Sequence, residues 1–432
     1  MKIAIVGYGE QGRSAYDYFK DENQITICDQ NINLKLPKDA LSKLGKNYLS
    51  DLDEYDLIIR SPIVHPNQII NNNSPTIINK ISSNTNEFLK VCPTKNIIAV
   101  TGTKGKGTTS TIIAKLLQQD NQKVYLGGNI GTPPLDLLKH NIKNTDWVVL
   151  ELANFQTIDI KYPVHIAVCL MITPEHLNWH PTFQEYLNSK KQLFDQQNIN
   201  DIAIYYSPND NSKFIVSDSK ATKIPYFNPP GAYIKDNNIV IEKHTICSVQ
   251  QIGLIGKHNL QNICAAITVF WQISKNTEVI KNVITSFKGL EHRLELVKTI
   301  HGVKYINDSF GTTPETAIVA LEAFSQPKII ILGGSDKRAD YSNLAKAVTE
   351  NNVKKVILIG QQTPKIEEAL LKTHFNDFVY GGLTMADIVK KSSELSEPGD
   401  VVLLSTACAS FDMFENYIDR GNQFKQVVRS LV

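Results

Sequence analysis

The 432-residue sequence has no marked excess of charge of either sign and no long apolar run. Its 45 Lys and Arg residues nearly balance 43 Asp and Glu residues, which leaves a formal net charge of +2. A protein that coats nucleic acid or lies on a membrane surface needs a large field of one sign, so both classes are disfavoured. No stretch approaches the ~18 uninterrupted apolar residues of a membrane span. The first apolar run ends at Gly7, too early for the core of a signal peptide.

Cysteine is also scarce. None of the six cysteines forms a CxxC pair or has the spacing of a metal site, and most stand in apolar runs, at Cys28, Cys92, Cys169, Cys247, Cys264 and Cys408. This usage disfavours a disulfide scaffold and favours a reduced, cytosolic compartment. At about 150 residues per domain, the length allows two to four domains. We therefore expect a cytosolic, multi-domain globular protein.

Short runs rich in Val, Ile and Leu alternate with helix-like segments along almost the whole chain. Several runs are continuously apolar, which is typical of strands buried on both faces of a parallel sheet. The alternation predicts an α/β fold built from βαβ units. The strands are predicted at 2–7, 25–29, 56–61, 97–102, 147–152, 166–172, 328–333, 355–360 and 401–405.

Three points in the sequence read as the start of a new domain. The first is Met1, the second is VCPTKN before the strand IIAVTG, and the third is KGLEHRLELV before GVKYINDS. They predict domains at 1–92, 93–293 and 294–432. A polar stretch rich in turn residues at 207–245 predicts a β-rich excursion inside the middle domain.

The motif GYGEQG at 7–12 follows a strand and precedes a helix, and Asp29 ends the next strand. Glycines let the backbone approach the phosphates of a ligand, and a helix start offers free N–H groups. An acidic residue about 20 positions later suits a ribose hydroxyl. The motif by itself indicates dinucleotide binding. The alternative is that its glycines serve only the turn between strand and helix.

The second glycine-rich loop, TGTKGKGTTS at 101–110, gives the stronger signal. Successive backbone N–H groups in such a loop form a concave anion site, and Lys106 reaches the outer phosphates. Gly107 occupies the usual hydroxyl position, so Thr108 becomes the leading Mg²⁺ ligand and Thr109 the second. An ordinary turn would not need two lysines and a run of hydroxyl residues at a helix start. We predict a nucleotide-phosphate site here.

Two later motifs contain metal-binding side chains. Glu151 ends the strand VVLE after GGNIG, which is a usual place for a metal ligand after such a phosphate loop. His176 in ITPEHLNWH and Lys190 in NSKKQLF are weaker candidates. A lone histidine is more often packed or exposed than ligating, and a lone lysine is usually solvated.

Taken together, the motifs resemble those of the Mur ligase family over nearly the whole chain, and within it the branch that adds D-glutamate. The matching segments are GYGEQG, RSP, TGTKGKGTT, GGNIG, ELANFQ, ITPEHLNWH, NSK, GKHNLQN, LEHR, INDSFGTTPE, LGGSDKRADYS and LLSTACASFDMFENYIDRGNQF. The last of these, with the N-terminal glycine motif, points to that branch.

The resemblance implies an ATP-dependent amide ligase that adds D-glutamate to UDP-N-acetylmuramoyl-L-alanine through an acyl phosphate. It implies three domains: an N-terminal Rossmann-like domain that binds UDP rather than NAD, a central P-loop ATPase domain with a parallel sheet, and a C-terminal Rossmann-like domain that binds the amino acid. It also implies two Mg²⁺ ions and a carbamylated lysine as a metal ligand. We expect a monomer with no nucleic-acid or membrane partner.

The resemblance also assigns roles residue by residue. It assigns binding of the UDP-linked substrate to Gly9, Glu10, Gln11, Asp29 and Asn129. It assigns ATP binding to Gly102, Thr103, Lys104, Gly105, Lys106, Gly107, Thr108, Thr109, Asn262, Arg293 and Asp308. It assigns the metal ligands to Thr108, Glu151, His176 and carbamylated Lys190. It assigns amino-acid binding to Thr312, Lys337, Ser410, Phe411 and Tyr417. It assigns catalysis to Lys106, His176, Lys190 and Lys337.

Several positions depart from the family pattern. Lys104 and Gly107 make the phosphate loop resemble that of folylpolyglutamate synthetases, so a polyglutamate ligase is the alternative within the superfamily. Phe310 stands where lysine is typical, and Glu175, Asn178 and Thr406 are further departures. From other classes, an NAD-dependent oxidoreductase and an inactive nucleotide-binding scaffold remain as alternatives. The phosphate loop disfavours the first, and retention of the predicted catalytic set disfavours the second.

Overall fold

A computed structural model describes residues 1–254, 256, 258–336 and 339–431. The described chain is an α/β protein with three large sheets and one small one. Each of the nine predicted strand segments forms a strand. All six cysteines are free and buried. None of the described helices is long and apolar enough to cross a membrane.

The first sheet is formed by the N-terminal part of the chain. Its strands are β1 (Lys2–Val6), β2 (Gln24–Asp29), β3 (Leu41–Leu44), β4 (Leu57–Arg60) and β5 (Ile81–Ser83). Its helices are α1 (Glu10–Phe19), α2 (Pro66–Ile70) and α3 (Asn84–Val91), with 3-10 turns at Leu52–Glu54 and Pro75–Asn79. The sheet is parallel with order β3-β2-β1-β4-β5, the order of a Rossmann-type sheet without its sixth strand.

The second sheet contains the phosphate loop. Its strands are β6 (Ile97–Thr101), β7 (Val124–Gly128), β8 (Trp147–Glu151), β9 (Ile166–Cys169), β10 (Ile202–Tyr206) and β11 (Thr222–Tyr226). Its helices are α4 (Lys106–Gln119), α5 (Pro134–Leu137), α6 (Asn154–Thr157), α7 (Phe183–Asp195), α8 (Asp210–Val216), α9 (His258–Trp271) and α10 (Thr277–Ser286), with 3-10 turns at Leu138–His140 and Val249–Gln251. All pairs are parallel in the order β11-β10-β9-β6-β8-β7. The strand before the phosphate loop, β6, is therefore flanked by β8 and β9.

The predicted β-rich excursion contains a small antiparallel sheet. Its three strands are β12 (Tyr233–Lys235), β13 (Asn238–Ile241) and β14 (His244–Ser248). Helix α8 and strand β11 precede them within the same stretch, so the excursion is mixed rather than purely β.

The last large sheet is formed by the C-terminal part of the chain. Its strands are β15 (Glu295–Ile300), β16 (Val303–Asn307), β17 (Lys328–Gly333), β18 (Val353–Ile359), β19 (Phe378–Tyr380) and β20 (Val401–Leu404). Its helices are α11 (Pro314–Glu322), α12 (Ser342–Glu350), α13 (Thr363–Lys372), α14 (Met385–Leu395) and α15 (Tyr417–Ser430). The order is β15-β16-β20-β17-β18-β19, parallel except for the β15–β16 pair.

The chain divides into two compact units. The first comprises 1–252 and 258–287 and contains the first, second and small sheets; the second is formed chiefly by 288–431. Helices α1 and α3 pack against α5, and buried residues of the first and second sheets belong to one hydrophobic cluster. This shared core explains why the first unit contains both sheets. The predicted boundaries at 92/93 and 293/294 stay predictions.

Candidate active site

The loop between β6 and α4 is shaped by two glycines. Gly102 has φ +152° and Gly105 has φ +88°, conformations that L side chains rarely adopt. A Cβ on Gly105 would lie 2.1 Å from Oδ1 of Asn262, and a Cβ on Gly102 would lie 2.6 Å from Cβ of Leu170. Only glycine therefore fits at both positions. The turn leads directly into the first turn of α4, whose N–H groups suit a phosphate.

Two lysine side chains of this loop have partners in or beside it. Nζ of Lys106 donates to the carbonyl oxygens of Gly102 and Thr103, each at 3.0 Å. Nζ of Lys104 forms an ion pair with Oε1 of Glu175 at 2.7 Å. Two of the positions that depart from the family pattern, Lys104 and Glu175, therefore contact each other. The two ammonium groups add positive charge to a backbone already shaped for an anion.

Glu151 offers a carboxylate oxygen for a cation. Its side chain is buried at the end of β8, where Oε1 accepts a hydrogen bond from Nδ2 of Asn129 at 3.3 Å. Oε2 is buried and has no hydrogen-bond partner in the described part of the chain. Because a buried carboxylate oxygen without a partner is costly, this atom fits an oxygen-seeking ion such as Mg²⁺. The predicted substrate residue Asn129 thus contacts the predicted metal residue.

Lys190 lies on α7 and reaches the loop that follows β6. Its fully buried Nζ donates to the carbonyl of Gly102 at 3.1 Å and to Oγ1 of Thr101 at 3.4 Å. Burial, with a further effect of the nearby Lys106, lowers the pKa of Lys190 to about 7. At neutral pH about half of the molecules therefore carry an uncharged amine here, the form that reacts with carbon dioxide to give a carbamate.

His176 follows β9 in the same region. It has φ +58°, and its ring centroid lies 4.8 Å from that of Phe155. Burial lowers the pKa of His176; Lys106 and Lys190 lower it further, against the opposing effect of Glu175. A neutral imidazole is the form that binds metal.

The hydroxyl groups of the loop divide into two groups. Oγ1 of Thr103 lies 2.8 Å from the hydroxyl of Tyr186 and donates to the carbonyl of Thr173, so this hydroxyl is bonded within the protein. Thr108 is half-buried on the first turn of α4, while Oγ1 of Thr109 is buried and has no partner within the ranges described above. Both threonines remain candidate metal ligands.

The residues predicted to bind UDP lie at the carboxyl end of β1 and β2. The backbone N–H of Tyr8 donates to Oδ2 of Asp29 at 2.8 Å, and Gly9 precedes α1 as its N-cap, with Glu10 and Gln11 in the first turn. Nε2 of Gln11 is 3.4 Å from the carbonyl oxygen of Gly128, which directly precedes Asn129. The structure thus brings Gln11 next to the loop that carries Asn129, another predicted UDP residue.

In the second unit, Arg293 and Asp308 both have clear local partners. The guanidinium carbon of Arg293 lies 3.8 Å from the ring centroid of Phe310, so the unusual phenylalanine stacks against a predicted nucleotide contact. Oδ2 of Asp308 accepts from Oγ of Ser405 at 2.6 Å, and Oδ1 accepts from the N–H of Leu294 at 3.1 Å. Burial raises the pKa of Asp308 to about 6.

The predicted amino-acid residues are only partly grouped. Ser410 is buried, with an Oγ that has no partner among the residues the structure describes, while Phe411 is 73% exposed. Tyr417 begins α15, and its ring lies 5.1 Å from that of Phe310. Thr312 directly precedes Thr313, which is the N-cap residue of α11. Lys337 lies outside the described residues.

Sequence reasoning missed a set of buried polar side chains that join these loops. Arg60, with no exposed side-chain area, makes two hydrogen bonds to Asp159 at 2.6 and 2.7 Å. Arg420 donates to Ser309 and to the carbonyl of Cys408. Arg60 stands 99 positions from its partner, so no local pattern could have revealed the pair. The histidine–glutamate cluster described below was missed for the same reason.

Comparison with known proteins gives a consistent result. Two family models match, the Mur ligase middle domain over residues 100–270 and the "Mur ligase, glutamate ligase domain" over residues 292–408. The UDP-N-acetylmuramoylalanine–D-glutamate ligase of Clostridium tetani is 34% identical over 450 residues, covering 100% of this chain and 97% of the relative. That of Natranaerobius thermophilus is 35% identical over 457 residues, covering 100% and 98%. The crystal structure of the Thermotoga maritima UDP-N-acetylmuramate–alanine ligase MurC has a TM-score of 0.60 at 15% identity, covers 100% of this chain and 99% of that chain, and shows the shared fold.

Proposed function

The chain belongs to the Mur ligase family, and on that premise we propose that it joins D-glutamate to UDP-N-acetylmuramoyl-L-alanine at the expense of ATP, in the cytoplasmic synthesis of peptidoglycan precursors. The observation that carries the proposal is the grouping around β6. The glycine-shaped loop follows β6, and Glu151 ends the neighbouring strand β8 with a buried carboxylate oxygen that has no partner among the described residues. The buried Lys190, whose pKa is about 7, reaches the same loop from α7 and donates to the carbonyl of Gly102.

The chemistry explains why such a grouping is needed. A carboxylate does not react with an amine at neutral pH, because the leaving group would be an oxide. In the first step a substrate carboxylate oxygen attacks the γ-phosphorus of ATP and ADP leaves, which gives an acyl phosphate. In the second step the amine nitrogen attacks the acyl carbon, inorganic phosphate leaves and the nitrogen gives up a proton to solvent. Lys106 stabilises the charge on the transferred phosphoryl group.

The proposal assigns two metal positions. Thr108 and Glu151 would hold one Mg²⁺, and His176 with carbamylated Lys190 would hold the other. Bound Mg²⁺ neutralises clustered phosphate and carboxylate charge and acts as a template for the reacting groups. Asn129 keeps one oxygen of Glu151 oriented through its amide, and the low pKa of Lys190 keeps its amine available for carbamate formation.

The remaining residues are proposed to hold the other substrates on a three-domain enzyme with boundaries at 92/93 and 293/294. Gly9, Glu10, Gln11 and Asp29 would bind UDP on the first domain. The C-terminal domain would hold D-glutamate, where the buried Ser410 hydroxyl and Lys337 meet its carboxylate. A preformed cation and hydroxyl fix the orientation of the amine before it attacks.

The test is phosphate release from ATP in the presence of UDP-N-acetylmuramoyl-L-alanine with D-glutamate, with L-glutamate or with no amino acid. We expect release that depends on D-glutamate, together with a UDP-linked product whose mass has increased by one glutamyl residue. The matched control is Lys106→Met, which should abolish release because the loop loses the ammonium group that faces the phosphates. Release with L-glutamate alone would identify L-glutamate as the amino acid that the ligase adds. No release in any of the three mixtures, with ATP still bound, would favour the polyglutamate-ligase or the inactive-scaffold alternative.

A further inference from the structure

The buried residue His180 makes hydrogen bonds that connect its own segment of the chain to two others. Its side chain has no exposed area, and its backbone N–H donates to the carbonyl of His176 at 2.9 Å. One ring nitrogen, Nε2, lies 2.8 Å from Nδ2 of Asn154, and the other, Nδ1, lies 3.1 Å from Oε1 of Glu185. His180 therefore contacts the loop after β9, the start of α6 and the first turn of α7.

Each of these three segments carries one proposed metal ligand. Asn154 stands three positions after Glu151, His180 stands four positions after His176, and Glu185 stands five positions before Lys190. The three ligands come from the end of β8, the loop after β9 and the middle of α7. The hydrogen bonds of one imidazole thus join all three segments.

A second histidine takes part in the same cluster. Nε2 of His65, in the loop after β4, lies 2.7 Å from Oε1 of Glu185. The ligand-type atoms of His65, His180 and Glu185 all lie within 4.8 Å of one another. Two imidazoles and a carboxylate are also a zinc-type ligand set, so a metal ion is the competing explanation for this cluster.

In each histidine one ring nitrogen faces Glu185 and the other, the outer nitrogen, points away from it. The hydrogen bonds of the two outer nitrogens indicate that protons, rather than a metal ion, lie between the histidines and Glu185. Nδ1 of His65 accepts from the backbone N–H of Asn67 at 3.1 Å, so its proton is on Nε2 and points at Glu185. The amide of Asn154 donates to Nε2 of His180 in the same way, which places that proton on Nδ1. A metal-bound histidine instead donates its outer N–H to an acceptor. Glu185 therefore accepts two N–H groups from two neutral imidazoles.

We propose that His180 is a positioning residue that holds the segments of Glu151, His176 and Lys190 in the arrangement that binds Mg²⁺, with Glu185 and His65 fixing its ring from the opposite side. This inference rests on the proposed function, because it concerns the metal ions of that reaction. His180 itself binds neither metal nor substrate. Its side chain acts through two hydrogen bonds whose directions are set by one tautomer.

The test uses variants that separate hydrogen bonding from charge. His180→Phe keeps a ring of similar size and loses both side-chain hydrogen bonds. Glu185→Leu removes the acceptor, whereas the matched control Glu185→Gln keeps an oxygen that accepts both N–H groups. Each variant is first checked for a cooperative thermal transition without metal. Mn²⁺ binding is then measured by electron paramagnetic resonance in the presence of a non-hydrolysable ATP analogue.

We expect His180→Phe and Glu185→Leu to weaken Mn²⁺ binding by ~10–100-fold, the usual effect of losing a residue that orients metal ligands. Glu185→Gln should stay close to the wild type in Mn²⁺ binding. In ligase assays, His180→Phe should raise the Mg²⁺ concentration for half-maximal rate and lower kcat, with little change in KM for the amino acid. If His180→Phe does not fold, Asn154→Leu, which removes only the amide donor, carries the same expectation.

Two results would overturn the proposal. One is a folded His180→Phe or Asn154→Leu variant that binds Mn²⁺ as tightly as the wild type. The other is a Glu185→Gln variant as damaged as Glu185→Leu, which would favour the metal explanation of the cluster. The binding measurement needs neither the UDP-linked substrate nor glutamate. A wild type that binds Mn²⁺ but forms no glutamyl product would therefore refute the proposed function and leave this test intact.

Discussion

Lys190→Ala tests the most unusual group in the site. At pH 7.5 a lysine with a pKa of about 7 is roughly three-quarters unprotonated, whereas an ordinary lysine is unprotonated in roughly one molecule per thousand. Carbon dioxide adds only to the unprotonated amine, so burial raises the reactive fraction by several hundred-fold. Removing the side chain removes the proposed carbamate ligand. Since metal charge stabilisation amounts to several kcal/mol, kcat should fall by at least ~100-fold.

The assay is D-glutamate-dependent phosphate release, with two additions. Acetate or formate should partly restore the activity of Lys190→Ala, because a small carboxylate can occupy the space of the lost carbamate. ¹³C-bicarbonate added to the wild type should give a carbamate resonance that the variant lacks. The matched control is Lys191→Ala on the same helix, whose ammonium pairs with Asp195 and Asp218 and should change activity little.

The pH dependence has a defined sign. Because the pKa of Lys190 lies below its usual value, the amine is protonated only as the pH falls through about 7. Carbamate formation, and with it activity, should therefore decline below pH 7 and recover on returning to pH 8. Full activity of Lys190→Ala, or a ¹³C spectrum with no carbamate in the active wild type, would refute this reasoning.

Three further outcomes follow from particular contacts. Asp159→Leu leaves the buried guanidinium of Arg60 without its charge partner, so it should lower the free energy of unfolding by about 3–5 kcal/mol, measured by urea denaturation. Arg60→Met combined with Asp159→Leu should recover only part of this loss, because backbone carbonyls such as that of Phe155 also lose their donor. Gly105→Ala places a Cβ 2.1 Å from Asn262 at φ +88°, so nucleotide binding, measured by calorimetry, should weaken by at least ~10-fold. Phe310→Leu removes the ring beneath a predicted nucleotide contact, a cation–π interaction of about 1 kcal/mol, and should raise KM for ATP by ~5-fold; an unchanged KM would show that the stack does not position that contact.

The α/β fold class and the glycine turn of the predicted phosphate loop could be predicted from local sequence. Continuous apolar runs encode buried parallel strands because both faces of each strand are covered. The glycines of TGTKGKG encode a turn that no other residue can form, and the structure shows φ +152° and φ +88° at Gly102 and Gly105. Patterns of this kind depend on a few neighbouring residues, so the sequence alone was enough to locate them.

The contacts between distant segments depend on tertiary structure. Burial gives Lys190 its low pKa, and burial is a property of the packed sheet rather than of the segment NSKKQLF. Glu151 is buried where β8 pairs with β6, Asn129 donates to its Oε1, and its Oε2 has no partner in the part of the chain that the structure describes. His180 looks like an ordinary histidine in the sequence, and its hydrogen bonds to the start of α6 and the first turn of α7 form only in the folded chain. Local sequence encodes which strands, helices and turns form. The packing of sheets and helices sets which charges, protons and side chains come together, because desolvation and hydrogen-bond geometry exist only in the folded chain.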